Sequence, residues 1–296
     1  MNKLFLFAFI GFIFLVLLII VVSFAFSSDF SEQIAVIPIK GDISSSSSSF
    51  SLAMTSSQIA EKITEADKDP FIKAIFLDID SGGGSVVATK EIVYAVRAAE
   101  KPVVAYIGEA GASGAYYVAA ASDLIIADED SLTGSIGVIS SSANLEGLME
   151  KLGIKMKILK EGEFKDIGSP YRELTLEEEQ MLQDLIKQAS VNFKNNILDF
   201  RTDKISVSEF NKIADGRILS GTQAEEIGLI DLTGSKDFAI KKTVELAGIK
   251  GEPLLKDFSA TQTDFFSSIS RMGYSFGTGF ITAIKNSDSD FSLQAK

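Results

Sequence analysis

A chain of 296 residues, 46% hydrophobic and with a formal net charge of −12, can build one globular domain with an apolar extension. It has no cysteine, which excludes disulfides, a thiolate nucleophile and cysteine ligands for zinc. It has no histidine, which removes the usual base of serine hydrolases and the commonest transition-metal ligand. Acidity without a clustered basic stretch excludes nucleic acid as a partner, and any nucleophilic enzyme here must activate Ser or Thr through Lys, Asp, Glu or an N-terminal amine.

Residues 1–3 precede an uncharged apolar stretch, 4–26, reading LFLFAFIGFIFLVLLIIVVSFAF. About 20 apolar residues span a bilayer as a helix, whereas a signal-peptide core has about 7–15. An uncleaved transmembrane anchor is predicted, with cleavage near Ala25 as the alternative. Lys3 lies on one side, Asp29 and Glu32 on the other. The positive-inside tendency puts the N-terminus in the cytoplasm and the domain outside it, on a single-pass cell-membrane protein.

Segment 27–56 holds a β-rich strand, 33–40, and a serine run, 44–49, which reads as a surface loop. The main domain is expected over 57–250. It opens with a helix over 57–66, stopped by 67–70. A strand at 74–79, a glycine-rich turn at 81–85 and a helix at 86–99 follow. A second strand starts at 102–107, with a tight turn at 111–114 and a short helix at 115–121. Further strands are expected at 124–127 and 136–139. This alternation implies a mainly parallel α/β layer structure. Asn144 is placed to cap a helix ending at Gly153, followed by a strand at 155–159. Thr175-Leu-Glu-Glu178 is a capping box that opens a long helix through about Phe200. Shorter helices include 222–227 and 235–247, with Gly228 and Gly248 where C-terminal caps belong. The tail, 251–296, sets aromatic residues among Ser, Thr and Gly. It reads as a loose membrane-surface or partner-binding segment or as a poorly ordered terminus.

Four segments can carry chemistry. Ser81-Gly-Gly-Gly-Ser85 lies between strand and helix, where glycines let backbone N–H groups approach a substrate. An oxyanion hole, a phosphate cradle and a plain βα turn all fit, although the GxxxxGK[ST] and GxGxxG patterns are absent. Ser113, in Gly111-Ala-Ser-Gly114, follows a strand and opens a helix, as a nucleophile elbow or as an ordinary N-cap. Lys165 sits between Phe164 and Asp166 with Ile167 beyond, in a region expected to approach the core. A free lysine is a poor base at neutral pH; lowering one by roughly 3 pH units disfavours its charged form by about 4 kcal/mol and needs an apolar surround. Otherwise it is a solvated surface charge. Ser135, in Thr133-Gly-Ser-Ile-Gly-Val138, can orient a lysine amine or satisfy a local turn.

Together, Ser81–Val86, Ala112-Ser-Gly-Ala-Tyr-Tyr117, Thr133–Val138, Phe164-Lys-Asp-Ile-Gly-Ser-Pro170, Gly216–Ala224 and Gly228-Leu-Ile-Asp231 resemble the signal peptide peptidase A family (SppA, peptidase family S49), in its short single-domain type. The resemblance covers about 34–247. It implies a crotonase-like/ClpP-like spiral of ββα units and a Ser–Lys dyad with Ser113 as nucleophile, Lys165 as general base and acid, and Ser135 holding the lysine. Gly83 and Gly114 match the oxyanion-hole donors, and an extended substrate would run along Gly82, Gly84, Ser85 and Val86. It further implies a ring-like homo-oligomer outside the cytoplasm and residual signal peptides and other apolar segments as substrates. A Ser–Lys site made within a single fold needs no metal or cofactor. Gly82 departs from the family, which usually has proline there, as does Ala115, where a second glycine is common. The alternatives are a stomatin-operon-type membrane peptidase and a catalytically silent crotonase-fold scaffold.

Overall fold

In a computed structural model the chain's strands assemble into one eight-stranded mixed sheet; the structure describes residues 11, 13–17, 32–46 and 53–259. Strand β1 (Gln33–Lys40) pairs in parallel with β2 (Ile72–Ser81), and β2 with β3 (Val103–Ala112). The first half of β3 pairs with β4 (Leu124–Ala127), and its last residues, Ala110 to Ala112, pair with β5 (Leu132–Gly134). β5 carries the sole antiparallel pairing among the described strands, to β6 (Ile218–Ser220). β7 (Leu232–Thr233) adds to β4, and β8 (Leu254–Asp257) closes the other edge beside β1. The near-continuous burial of β2, IKAIFLDIDS, reflects a strand covered on both faces, as parallel sheets require.

Helices α1 (Ser56–Lys68), α2 (Val86–Ala98) and α3 (Gly114–Ala120) cover one face. A Thr55/Gln58 capping box starts α1, and Ile59, Ile63 and Ala66 form its inward stripe. After the short α4 (Glu146–Lys151), the 25-residue α5 (Leu176–Phe200) begins at the expected Thr175/Glu178 box. α6 (Val207–Ile213) and α7 (Gly221–Glu226) follow, and α8 (Lys236–Ala247) packs on the opposite face through Ala239, ending at Gly248 in the left-handed conformation.

A buried ion pair ties α5 to the sheet. Arg201 donates to both oxygens of Asp231 (3.1 and 3.0 Å) and to Gly228 O, while Asp231 also accepts from Ile125 N (2.8 Å). Burial pushes the Asp231 carboxyl up, but Arg201 and Ile125 more than offset this, leaving its pKa below the usual value. A depressed folded-state pKa adds stability above the unfolded value and loses it as pH falls through the folded one. Thermal melts are therefore expected to show Asp231→Asn destabilised at pH 7, with the gap to wild type closing below about pH 4. Arg201→Ala leaves the buried carboxylate with only the exposed Lys204 (3.1 Å) as a charged partner and is expected to cost about 3 kcal/mol in denaturant unfolding.

Several sequence expectations shift. The strand predicted at 136–139 is displaced to β5, because Gly134 (φ 77°) and Ser135 (φ 50°) break extended backbone there; Ile136 is still buried. The strand predicted at 155–159 does not form, and those residues are exposed without a sheet partner. The tail was expected to lose pattern from its start, yet β8 joins the sheet and Phe258 is buried. Residues 260–296 and most of the predicted anchor lie outside the described residues. Residues 13–17 are helical, and among the described residues no helix is long and apolar enough to cross a membrane.

Candidate active site

Ser113 stands where β3 ends and α3 begins. Its φ of 53° and ψ of −120° lie in a region that side-chain-bearing residues avoid, at a cost of about 1–3 kcal/mol. The surroundings hold it there. Its N–H donates to Gly134 O (2.9 Å), Tyr117 N–H donates to its carbonyl (3.0 Å), and every residue of α3 is buried. Within 111–120 Ser113 is the one residue not fully buried, so this kink turns its hydroxyl out of the packed layer. That is the physical logic of a nucleophile elbow, without the GxSxG sequence.

The hydroxyl faces a cavity of about 470 Å³. Gly82 and Gly84 of the glycine-rich turn and Val86 of α2 line it together with Gly114, Ser135 and Tyr117. The far wall is α5, through Leu185, Gln188, Ala189, Asn192 and Phe193. Tyr117 is fixed by its ring against Phe193 (4.9 Å between centroids) and by a hydrogen bond from Asn196 Nδ2. Val87, Val138 and Ile139 make the mouth apolar, and Lys90 of α2 is the charged side chain in the lining.

The glycines are required by close approach. A Cβ on Gly114 would lie 2.6 Å from Thr89 Oγ1, and one on Gly84 would lie 2.1 Å from Ile43 O. Ile43 N donates to Gly83 O and Ser85 N donates to Ile43 O (both 2.9 Å), so the chain after β1 pins the turn.

Two residues of that turn have their N–H groups engaged within the protein. Gly83 was expected to offer its N–H to an oxyanion, but that N–H donates to Ser81 Oγ (3.1 Å), and Gly83 is buried outside the cavity lining. The serine makes a local side-chain turn, which aims the N–H inward. Gly84 and Gly114 are the glycines at the cavity, and a Cβ on Gly114 would lie 3.3 Å from Gly84 N. Ser85, expected along the substrate, instead gives its N–H to Ile43.

Ser113 and Ser135 share the cavity; Lys165 does not line it. Lys165 lies in a turn and is exposed, its N–H donating to Gly162 O (3.3 Å). The expectation that it approaches the core of its own chain is therefore corrected. The physical reason is that residues 139–163 lie almost wholly on the surface, with Ile139 91% and Leu159 84% exposed. The α5 wall was missed as site, although Leu185, Ala189 and Phe193 recur at i, i+4 and i+8, a legible apolar stripe.

A strained serine at a strand–helix junction, facing two close backbone glycines, defines a serine-hydrolase type of site. Comparison with known proteins gives the class: the chain belongs to peptidase family S49, as an SppA-type member. The family profile, Peptidase family S49, matches residues 95–250. A putative protease of Methanocaldococcus jannaschii is 36% identical over 219 residues, 73% of this chain and 70% of that protein. A putative protease of Synechocystis is 37% identical over 226 residues, 76% of this chain and 78% of that protein. A putative signal peptide peptidase SppA of Enterococcus faecium is 35% identical over 60% of this chain and 52% of its own length. Among solved structures, a mutant of the 1510-N membrane-bound stomatin-specific protease shares the fold, with a TM-score of 0.52 and 16% identity over 78% of this chain and 99% of that one.

Proposed function

We propose that this serine protease is a membrane-anchored endopeptidase that cleaves residual signal peptides and other apolar segments through a Ser113–Lys165 dyad on a crotonase-like/ClpP-like spiral. The observation that carries the reading is the strained Ser113 at the mouth of an apolar cavity beside Gly84 and Gly114. Neutral Lys165 takes the Ser113 proton as Oγ attacks a peptide carbonyl. The N–H groups of Gly84 and Gly114 receive the oxyanion. The lysine then protonates the leaving amine, and water releases the acyl group. Val86, Val87, Tyr117, Leu185 and Phe193 favour an apolar side chain in the cavity. The 4–26 stretch would hold the domain against the membrane, outside the cytoplasm.

Because Lys165 is exposed and off the cavity of its own chain, the dyad is completed in a ring-like homo-oligomer, where a neighbouring copy presents its lysine to Ser113. The exposed Leu148, Leu152, Ile154, Met156 and Leu159 on the same segment give that contact an apolar surface to bury.

Lys90 supports a second reading, since it lines the cavity with Ser113 in a single chain. Cleavage-site mapping on a peptide library decides between them. Ser113→Ala should be silent in either case; Lys165→Ala silent with Lys90→Ala active supports the dyad, and the reverse makes Lys90 the base. Cleavage unaffected by Ser113→Ala would overturn both, whereas a wild type that cleaves nothing would leave the scaffold reading.

A further inference from the structure

The turn carrying Lys165 is tied down by ion pairs that the dyad chemistry itself does not use. Asp166, the next residue, accepts from Lys160 Nζ (2.5 Å) and from Arg172 Nε and Nη2 (2.9 and 2.8 Å). Arg172 turns its other donors to Glu178, with Nη1 to Oε2 at 2.8 Å and Nη2 to Oε1 at 2.6 Å. Glu178 is buried and also closes the N-terminal capping box of α5, its Oε2 accepting from Thr175 N (2.9 Å). The guanidinium beside them holds the Asp166 carboxyl far below its usual range and that of Glu178 at about 2. Both are carboxylates at neutral pH.

The rest of the turn is held by backbone bonds and by Lys160 Nζ, which donates to Glu163 O (2.6 Å), while Leu145 N donates to Pro170 O (2.7 Å) at its end. Lys165 N to Gly162 O, Ile167 N to Phe164 O and Ser169 N to Asp166 O are all local, and Gly162 and Gly168 sit at positive φ. Against that background one planar fork bridges two carboxylates, a geometry that a single ammonium cannot copy. The helix at its far end is the one whose later turns supply Leu185, Gln188, Ala189, Asn192 and Phe193 to the cavity.

We infer that Arg172 is a positioning residue for the reaction: it fixes the Lys165 turn to the first turn of its own chain's α5, so that the base is held at one place on the surface offered to the Ser113 of a neighbouring copy. The inference rests on the Ser113–Lys165 reading and adds to it the side chain that sets the lysine's location. It requires no contact between Arg172 and substrate.

The test is steady-state kinetics on one peptide with wild type, Arg172→Ala, Arg172→Lys, Asp166→Asn and Lys165→Ala. For Arg172→Ala, kcat is expected to fall about 10- to 100-fold, because a base displaced by about 1 Å loses that much. KM should stay within about two-fold, since no cavity residue changes. Arg172→Lys should not restore kcat. Asp166→Asn, which leaves the Arg172–Glu178 pair and the helix cap in place, should reproduce the fall, and a double variant carrying both Arg172→Ala and Asp166→Asn should be no worse than the worse single one. Wild-type kcat in Arg172→Ala, with Lys165→Ala silent, overturns the inference and leaves the dyad standing. Full activity in Lys165→Ala overturns both. A fall that Asp166→Asn does not share, or one matched by a rise in KM, reduces Arg172 to a support for the helix and also overturns the inference.

Discussion

Replacing Ser113 by alanine is expected to abolish peptide hydrolysis, by about 10⁴- to 10⁶-fold in kcat, while leaving the melting temperature nearly unchanged. The size follows from chemistry: without Oγ no acyl-enzyme forms, and the glycine N–H groups have no tetrahedral intermediate to stabilise. The unchanged stability follows from the backbone, since alanine inherits the same strained φ of 53°. Ser113→Gly separates the two roles. It removes the hydroxyl and also the steric cost of the left-handed backbone, so it should be equally inactive and more stable than Ser113→Ala by about 1 kcal/mol in urea unfolding. A Ser113→Gly protein less stable than Ser113→Ala would show that the serine backbone is unstrained, removing the main argument for an elbow.

Lys165→Ala carries the second largest effect. With no histidine in the chain, a lost lysine base has no imidazole to replace it, and kcat should fall by about 10³-fold or more. The side chain is exposed in its own chain, so secondary structure and single-chain stability should change little. Circular dichroism melts beside the kinetics check this. Retained activity in Lys165→Ala together with loss in Lys90→Ala would move the base to α2.

The parts of the fold readable in advance are those set by local rules. The Thr175/Glu178 box placed the start of α5, the apolar runs of β1 to β4 and their intervening helices gave a parallel α/β sheet, and Gly248 marked the end of α8. Strands β6, β7 and β8 are short, and their pairing partners are distant in sequence, so no periodicity announces them. The apolar alternation at 155–159 resembles a strand, yet these residues are exposed and pair with no strand of the chain.

The site divides in the same way. Ser113 was legible because a serine among small residues after a strand has few reasons to be there. The three consecutive glycines were not distinguishable by sequence, since Ser81 decides which N–H turns inward through a side-chain hydrogen bond. The place of Lys165 was not legible at all: Phe164 and Ile167 beside it are apolar and half-buried, yet the lysine itself faces out of its own chain. The buried Glu178 that anchors Arg172 was visible only as half of a capping box.

The most direct measurement of the central claim mixes two inactive proteins. Ser113→Ala still carries its lysine, and Lys165→Ala still carries its serine, so co-assembled subunits rebuild complete sites wherever one copy's lysine meets the other's Ser113. Random co-assembly of equal amounts should recover roughly a quarter of wild-type activity. A co-assembled mixture as inactive as either protein alone would contradict a dyad formed between neighbouring copies.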